Sequence, residues 1–186
     1  MRGRLCLIGA GLLLLAGCAE EAAPQAVGPQ AVGPTPKVVR QSASAAGGAC
    51  QLLEYPAVEQ AIGARFEVAA ASRHGKTDTC VLRGEAEARP ELALSVTPTT
   101  ADASIFADEV VPSGGKSVKG LGKAAYRATT APAEGAGSAV EVGWLTGNGR
   151  LVSLRFTFPT GEDRAQADAL APKLINLAKK IDTSSL

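Results

Sequence analysis

Residues 139–158 constrain the fold more than any other stretch of the chain. Alternation with a period of two puts Val140, Val142 and Trp144 on one face of a strand. Val152, Leu154, Phe156 and Phe158 share a face of the next. A two-residue Asn148-Gly149 turn would pair Trp144 with Ser153 and set apolar side chains opposite polar ones. A three-residue loop, Gly147-Asn148-Gly149, pairs Trp144 with Val152, Val142 with Leu154 and Val140 with Phe156. Only the second register puts the apolar sets on one side, so the spacing predicts it, with Gly149 in the left-handed position of a bulged turn.

The other elements are read around this hairpin. Pro56 to Ile62 is expected to form a short helix, with Pro56 early in it, Gly63 as its C-cap, and Val58, Ala61 and Ile62 on one face. Arg65 to Ala70 reads as a strand with Phe66 and Val68 on one side, and Ala71–Thr79 as a polar loop. Further strands carry Cys80 and Leu82, then Leu92, Leu94 and Val96. Thr100 reads as the N-cap of a helix running to about Glu109, with Ile105, Phe106 and Val110 toward the core. A glycine turn at Ser113–Gly115 leads to short extended segments at Lys116–Val118 and Lys123–Thr129, and Pro132 to Gly137 is a loop. A last helix starts near Glu162 and directs Leu170, Leu174, Leu177 and Ile181 inward; Pro172 within it must kink it or restart it. Most neighbouring strands are too close in sequence for parallel crossovers. The expectation is an α+β domain: a single antiparallel twisted sheet packed with helices, including a C-terminal one.

The N-terminal region is of another kind. Arg2 and Arg4 precede an apolar run from Leu5 to Leu15, and Leu15-Ala16-Gly17 stands directly before Cys18. The run is shorter than the roughly twenty residues needed to span a bilayer. It reads as a bacterial lipoprotein signal peptide, residues 1–17, cleaved to leave an acylated Cys18. Residues 18–49 then read as the lipidated cysteine and a flexible tether. They hold the repeat Gln25–Pro29 and Gln30–Pro34 and a Ser/Ala/Gly stretch, a composition that buries no face and reaches roughly 30 Å as a coil. The folded domain is placed at 50–186, large enough to bury roughly two-thirds of its unfolded surface. The expected location is the extracytoplasmic side of the cell membrane, held by lipid.

Of the four cysteines, Cys6 would leave with the signal and Cys18 would carry lipid. Cys50 and Cys80 remain, and two thiols in an oxidising compartment are expected to pair. Removing Arg2 and Arg4 from the 19 basic residues leaves 17 against 18 acidic ones, so the mature chain has no net field to attract nucleic acid. No cofactor and no metal are expected, since one histidine provides no ligand set.

Several local patterns fall together. Cys50-Gln-Leu-Leu precedes a short helix ending at Gly63, Cys80 lies in a strand, and Val118-Lys-Gly-Leu-Gly-Lys-Ala-Ala-Tyr126 precedes the hairpin. The terminal helix contains Ala169-Leu-Ala-Pro-Lys-Leu174. With the N-terminal signal, these resemble actinobacterial lipoproteins grouped as a domain of unknown function, which include mycobacterial LprB-like and LprC-like proteins. The resemblance implies an envelope lipoprotein with a paired-cysteine α+β domain, and it brings no catalytic residues with it.

Motifs of known chemistry do not hold. Ser113-Gly-Gly-Lys116 has the Ser-x-x-Lys spacing of penicillin-interacting enzymes but lies in a glycine turn, and Lys76-Thr77 is followed by Asp78. Gly115-Lys116-Ser117 mimics the end of a P-loop whose first glycine would fall at Val110. His74, the sole histidine, lies in a polar segment, and the pairs Asp108-Glu109 and Glu162-Asp163 sit at helix ends. Two function classes stand: a non-catalytic binding or sensor-accessory module for an envelope protein, wall polymer or small ligand, and an unrecognised small extracytoplasmic hydrolase. A deep pocket around His74 would favour the hydrolase. For the binding module, the candidate surface is a basic stripe of Lys119, Lys123 and Arg127, continued by Arg155, set against anionic polymers or lipid headgroups.

Overall fold

In the computed structural model the structure describes residues 41–186, and these fall within one compact unit. The predicted signal peptide, Cys18 and the tether as far as residue 40 lie outside the described residues. Seven strands build one sheet: β1 (Val68–His74), β2 (Thr77–Arg83), β3 (Glu91–Pro98), β4 (Lys116–Ser117), β5 (Ala124–Thr130), β6 (Ala139–Leu145) and β7 (Arg150–Thr157). The order is β1-β2-β3-β7-β6-β5-β4 and every pairing is antiparallel. Two meanders, β1–β2–β3 and β4–β5–β6–β7, are thus joined where β3 meets β7. The α+β expectation holds, with helices α1 (Tyr55–Ile62), α2 (Ala103–Ile105) and α3 (Arg164–Ala178).

The hairpin takes the predicted register: Trp144 opposes Val152, Val142 opposes Leu154 and Val140 opposes Phe156. Gly149 has φ 74°, the left-handed conformation that only glycine adopts without strain. Beside it, Val96, Leu94 and Leu92 of β3 face Val152, Leu154 and Phe156. All of these side chains are buried. They form the sheet's inner face, on which Leu174 and Leu177 of α3 and Val58 and Ile62 of α1 close the main core.

Asp163 caps α3 by accepting from the backbone N–H of Ala165 and Gln166, leaving its neighbour Glu162 outside the helix. The helix runs unbroken through Pro172. Pro172 is exposed, so its ring displaces nothing in the core, and the Asp168 carbonyl it deprives of a donor belongs to an exposed residue. Burial of Ala171, Leu174 and Leu177 holds the two halves together.

Four expectations require correction. Folding begins before Cys50: short 3-10 turns at Ala43–Ala46 and Gly48–Leu52 pack on β1 and β2, and Ala43 and Ala49 are fully buried. With these two alanines enclosed against the sheet, the last part of the expected tether belongs to the domain. Next, β1 starts at Val68 rather than Arg65. Phe66 is buried while Val68 is 45% exposed, because β1 is an edge strand whose outer face meets solvent. The expected loop 71–79 is instead a hairpin tip, with Ser72, Arg73 and His74 paired to Thr79, Asp78 and Thr77. Arg73 bonds both carboxylate oxygens of Asp78, at 2.7 and 2.8 Å, a pairing that compensates for the absence of apolar alternation. Last, α2 is capped by Asp102 rather than Thr100, and after one turn it widens at Phe106–Val110, where the Val111 N–H reaches the Phe106 carbonyl at 3.2 Å. Phe106 is buried as expected, but Ile105 is 49% exposed.

Cys50 and Cys80 form a disulfide. It ties the turn before α1 to β2, within the core.

Candidate binding site

The other face of the sheet carries the site. Tyr126 on β5 pairs with Gly143 on β6 and points away from the main core, into a second cluster with Phe106 and Leu145. The Phe106 and Tyr126 rings lie 5.9 Å apart, tilted by 38°. The widened turn after α2 therefore works as a flap over one end of the outer face. Asp102 fixes its start by accepting the Ser104 and Ile105 N–H groups, both at 2.9 Å.

Between this flap and β5 lies a cleft of about 560 Å³, within the size range of small-ligand sites. Phe106, Val111, Leu121 and Tyr126 provide its apolar lining, and Lys119 and Lys123 also line it. The loop 118–123 forms one wall and is held at three points. The Val118 N–H donates to Ala125 at 2.9 Å and the Lys123 N–H to Leu145 at 2.7 Å. Leu121 between them is buried in the main core. Gly122, with φ 58°, is required here, since a Cβ would collide with the Leu145 carbonyl. The wall is preformed, and its two lysines stay exposed.

Next to the cleft, the Tyr126 hydroxyl donates to Glu141 at 2.5 Å. Arg155 donates to the other oxygen of Glu141 at 3.3 Å and to Thr130 at 3.1 Å. Burial, then the hydrogen bond and charge of Glu141, raise the Tyr126 hydroxyl well above the ordinary tyrosine range. Tyr126 is thus a fixed neutral donor and Glu141 a carboxylate with both oxygens engaged. This geometry fixes the Tyr126 ring and the Glu141 side chain in place beside the cleft.

Two smaller hollows flank the cleft. One of about 390 Å³ lies beyond Gly120–Gly122 and is lined by Trp144, Asn148, Lys179 and Asp182 among others. The Ser184 backbone N–H, bonded to Asp182 at 2.9 Å, holds that carboxyl below its usual range. The other, about 220 Å³, runs along Ser95, Thr97 and Ser153 toward Glu141.

The candidate residues from the sequence divide. Lys119 and Lys123 line one cleft. Arg127 pairs with Val142 on the inner face and approaches Asp168 of α3 at 3.8 Å, whereas Arg155 pairs with Glu141 on the outer face. The sheet separates them, so the basic stripe is not continuous: Arg127 and Arg155 pair with Val142 and Glu141, successive residues of β6 that face opposite sides. His74 is exposed at the tip of β1, away from the cleft. Cys18 lies outside the described residues. Among the described residues, no group of three His, Cys, Asp or Glu side chains is placed to hold a metal ion.

Sequence reasoning missed Glu141, which is one of the polar positions alternating with Val140 and Val142, and the role of Gly143. A glycine between Val142 and Trp144 was the available signal, since such a residue in a strand marks close approach of another group. Compared with family models, curated proteins and solved structures, the chain finds no match.

Proposed function

We propose that the chain is an envelope lipoprotein of the kind it resembles, anchored through Cys18 on the extracytoplasmic side of the membrane, whose domain is a non-catalytic binding module. The observation that carries the binding reading is the preformed cleft between Phe106 and the 118–123 loop. The neighbouring ionisable groups support it as well. Tyr126, Glu141 and Arg155 are spent on one another, an arrangement that shapes a surface rather than performing acid–base chemistry. The Cys50–Cys80 disulfide fits an oxidising compartment.

Binding is tested with the chain lacking residues 1–18, incubated with an envelope extract and examined by native mass spectrometry. A stoichiometric adduct released chemically unchanged is expected, and Ala107→Trp, which fills the cleft from its exposed rim, should abolish it. Release of a ligand altered in mass would favour the hydrolase reading instead. No adduct at all would overturn the cleft as a binding site. Anchoring is tested by Cys18→Ala, which should leave the precursor uncleaved and without lipid; cleavage before residue 18 with unchanged detergent partitioning would refute it.

A further inference from the structure

We infer that the ligand of this cleft is an anionic amphiphile: an apolar chain lodged against Phe106, Val111, Leu121 and Tyr126, with a phosphate-like head at Lys119 and Lys123. The inference rests on the cleft being the binding site and adds the chemical class of what enters it.

What distinguishes Lys119 and Lys123 among the lysines is that they line the cleft. Each ion pair among the described residues has arginine as its cation. Lys119 and Lys123 take part in none, so their charge is unneutralised beside a cleft with an apolar side. Lys179 adds to it from the opposite side of the wall: its Nζ lies 3.8 Å from where a Cβ at Gly120 would stand. The short, fixed loop thus carries two exposed lysines and has the Lys179 ammonium beside it. On that side Asp182 lines the neighbouring hollow together with Lys179 and accepts the Ser184 N–H.

The cleft's interior asks for the other half of the ligand. The Tyr126 hydroxyl is committed to Glu141, so Tyr126 presents its ring rather than a donor. The side chains of Phe106, Val111 and Leu121 are hydrocarbon only. A small anion alone would leave this lining unfilled, and a neutral hydrocarbon would leave the ammonium groups without a partner. A molecule with both parts satisfies both. Because the Val118–Lys123 wall is already pinned by two backbone hydrogen bonds and by Leu121, little ordering opposes binding.

The experiment uses the chain lacking residues 1–18 and the fluorescence of Trp144, the only tryptophan. Its Cδ1 lies 3.3 Å from the Cβ position of Gly122, so it reports on the wall. The probes are dodecyl phosphate, dodecyl maltoside and inorganic phosphate, each below its micelle-forming concentration. Dodecyl phosphate should give a saturable change. Lys119→Glu with Lys123→Glu should weaken it about tenfold or more, each exposed charge being worth roughly fivefold, and added salt should weaken it too. Both positions are exposed, and an unchanged melting temperature and circular dichroism spectrum confirm that the variant is folded. If dodecyl maltoside binds as tightly, or charge reversal changes nothing, the anionic class is wrong while the cleft remains a site. Inorganic phosphate matching dodecyl phosphate would overturn the amphiphile. If no probe binds and Ala107→Trp is without effect, the cleft reading falls as well. A further arm separates two sources of this chemistry: transfer of labelled phosphatidylglycerol out of vesicles identifies a membrane lipid, and binding of dodecyl phosphate without such transfer identifies a free single-chain phosphate. Either result supports the inference.

Discussion

The ring of Tyr126 lies directly on the backbone of Gly143, its cross-strand partner: a Cβ at Gly143 would stand 2.5 Å from Cζ and 2.8 Å from the hydroxyl oxygen. With no side chain beneath it, the ring crosses β6 and delivers its hydroxyl to Glu141, the diagonal neighbour. One glycine thus positions both the floor of the cleft and the polar network beside it.

Gly143→Ala should destabilise the domain by about 1–3 kcal/mol, the usual cost of forcing extra volume into a filled site. Chemical denaturation measures it. In a double-mutant cycle the loss should shrink when Tyr126 is already alanine, since the clash is between these two residues; equal losses in both backgrounds would show that Gly143 acts through the backbone alone.

Tyr126 should remain protonated through the pH range in which ordinary tyrosines ionise. Its folded-state pKa lies above the unfolded value, so its contribution is fully present below about pH 10 and is lost as pH rises beyond that. Titration of tyrosinate absorbance should show one of the two tyrosines ionising only with unfolding. Glu141→Gln should lower the onset, because it removes the carboxylate that opposes ionisation.

Asp78 shows the opposite sign. Arg73 donates two hydrogen bonds to it and holds its carboxyl below the usual aspartate range. Its contribution is present above the unfolded pKa of about 3.9 and disappears as pH falls through the lower folded value. Carboxyl-carbon NMR titration should find Asp78 below the ordinary range, and Arg73→Ala should return it upward. An unchanged titration would show that the charge of Arg150, not Arg73, sets it, since burial acts in the opposite direction.

Replacing Cys50 and Cys80 with alanine should cost about 3–4 kcal/mol, as expected from releasing a loop of 30 residues in the unfolded chain. Denaturation with and without reductant gives the comparison: the wild-type chain in reductant should approach the double variant, while the variant itself should not respond.

The period-two alternation of residues 139–158 determined the hairpin, its register and the conformation of Gly149, because a shift of one residue would have turned every apolar side chain to the wrong face. Local chemistry likewise determined α1 with its Gly63 cap, and the apolar positions on α3. The pairing of Cys50 with Cys80 followed from the absence of other thiols in the domain. Tertiary structure decided the rest. Ala43 and Ala49 are buried because the sheet offers them a place, and nothing in their small side chains announces it. Ser72, Arg73 and His74 form strand because β2 lies beside them to complete the ladder. Arg127 and Arg155 fall on opposite faces because strand order and register, joined only through β6, assign the faces of β5 and β7. The cleft exists because α2 widens over Tyr126, a contact between segments about twenty residues apart that no local periodicity encodes. A pattern within one element is fixed by its own covalent geometry, whereas a site assembled from several elements depends on how their faces meet.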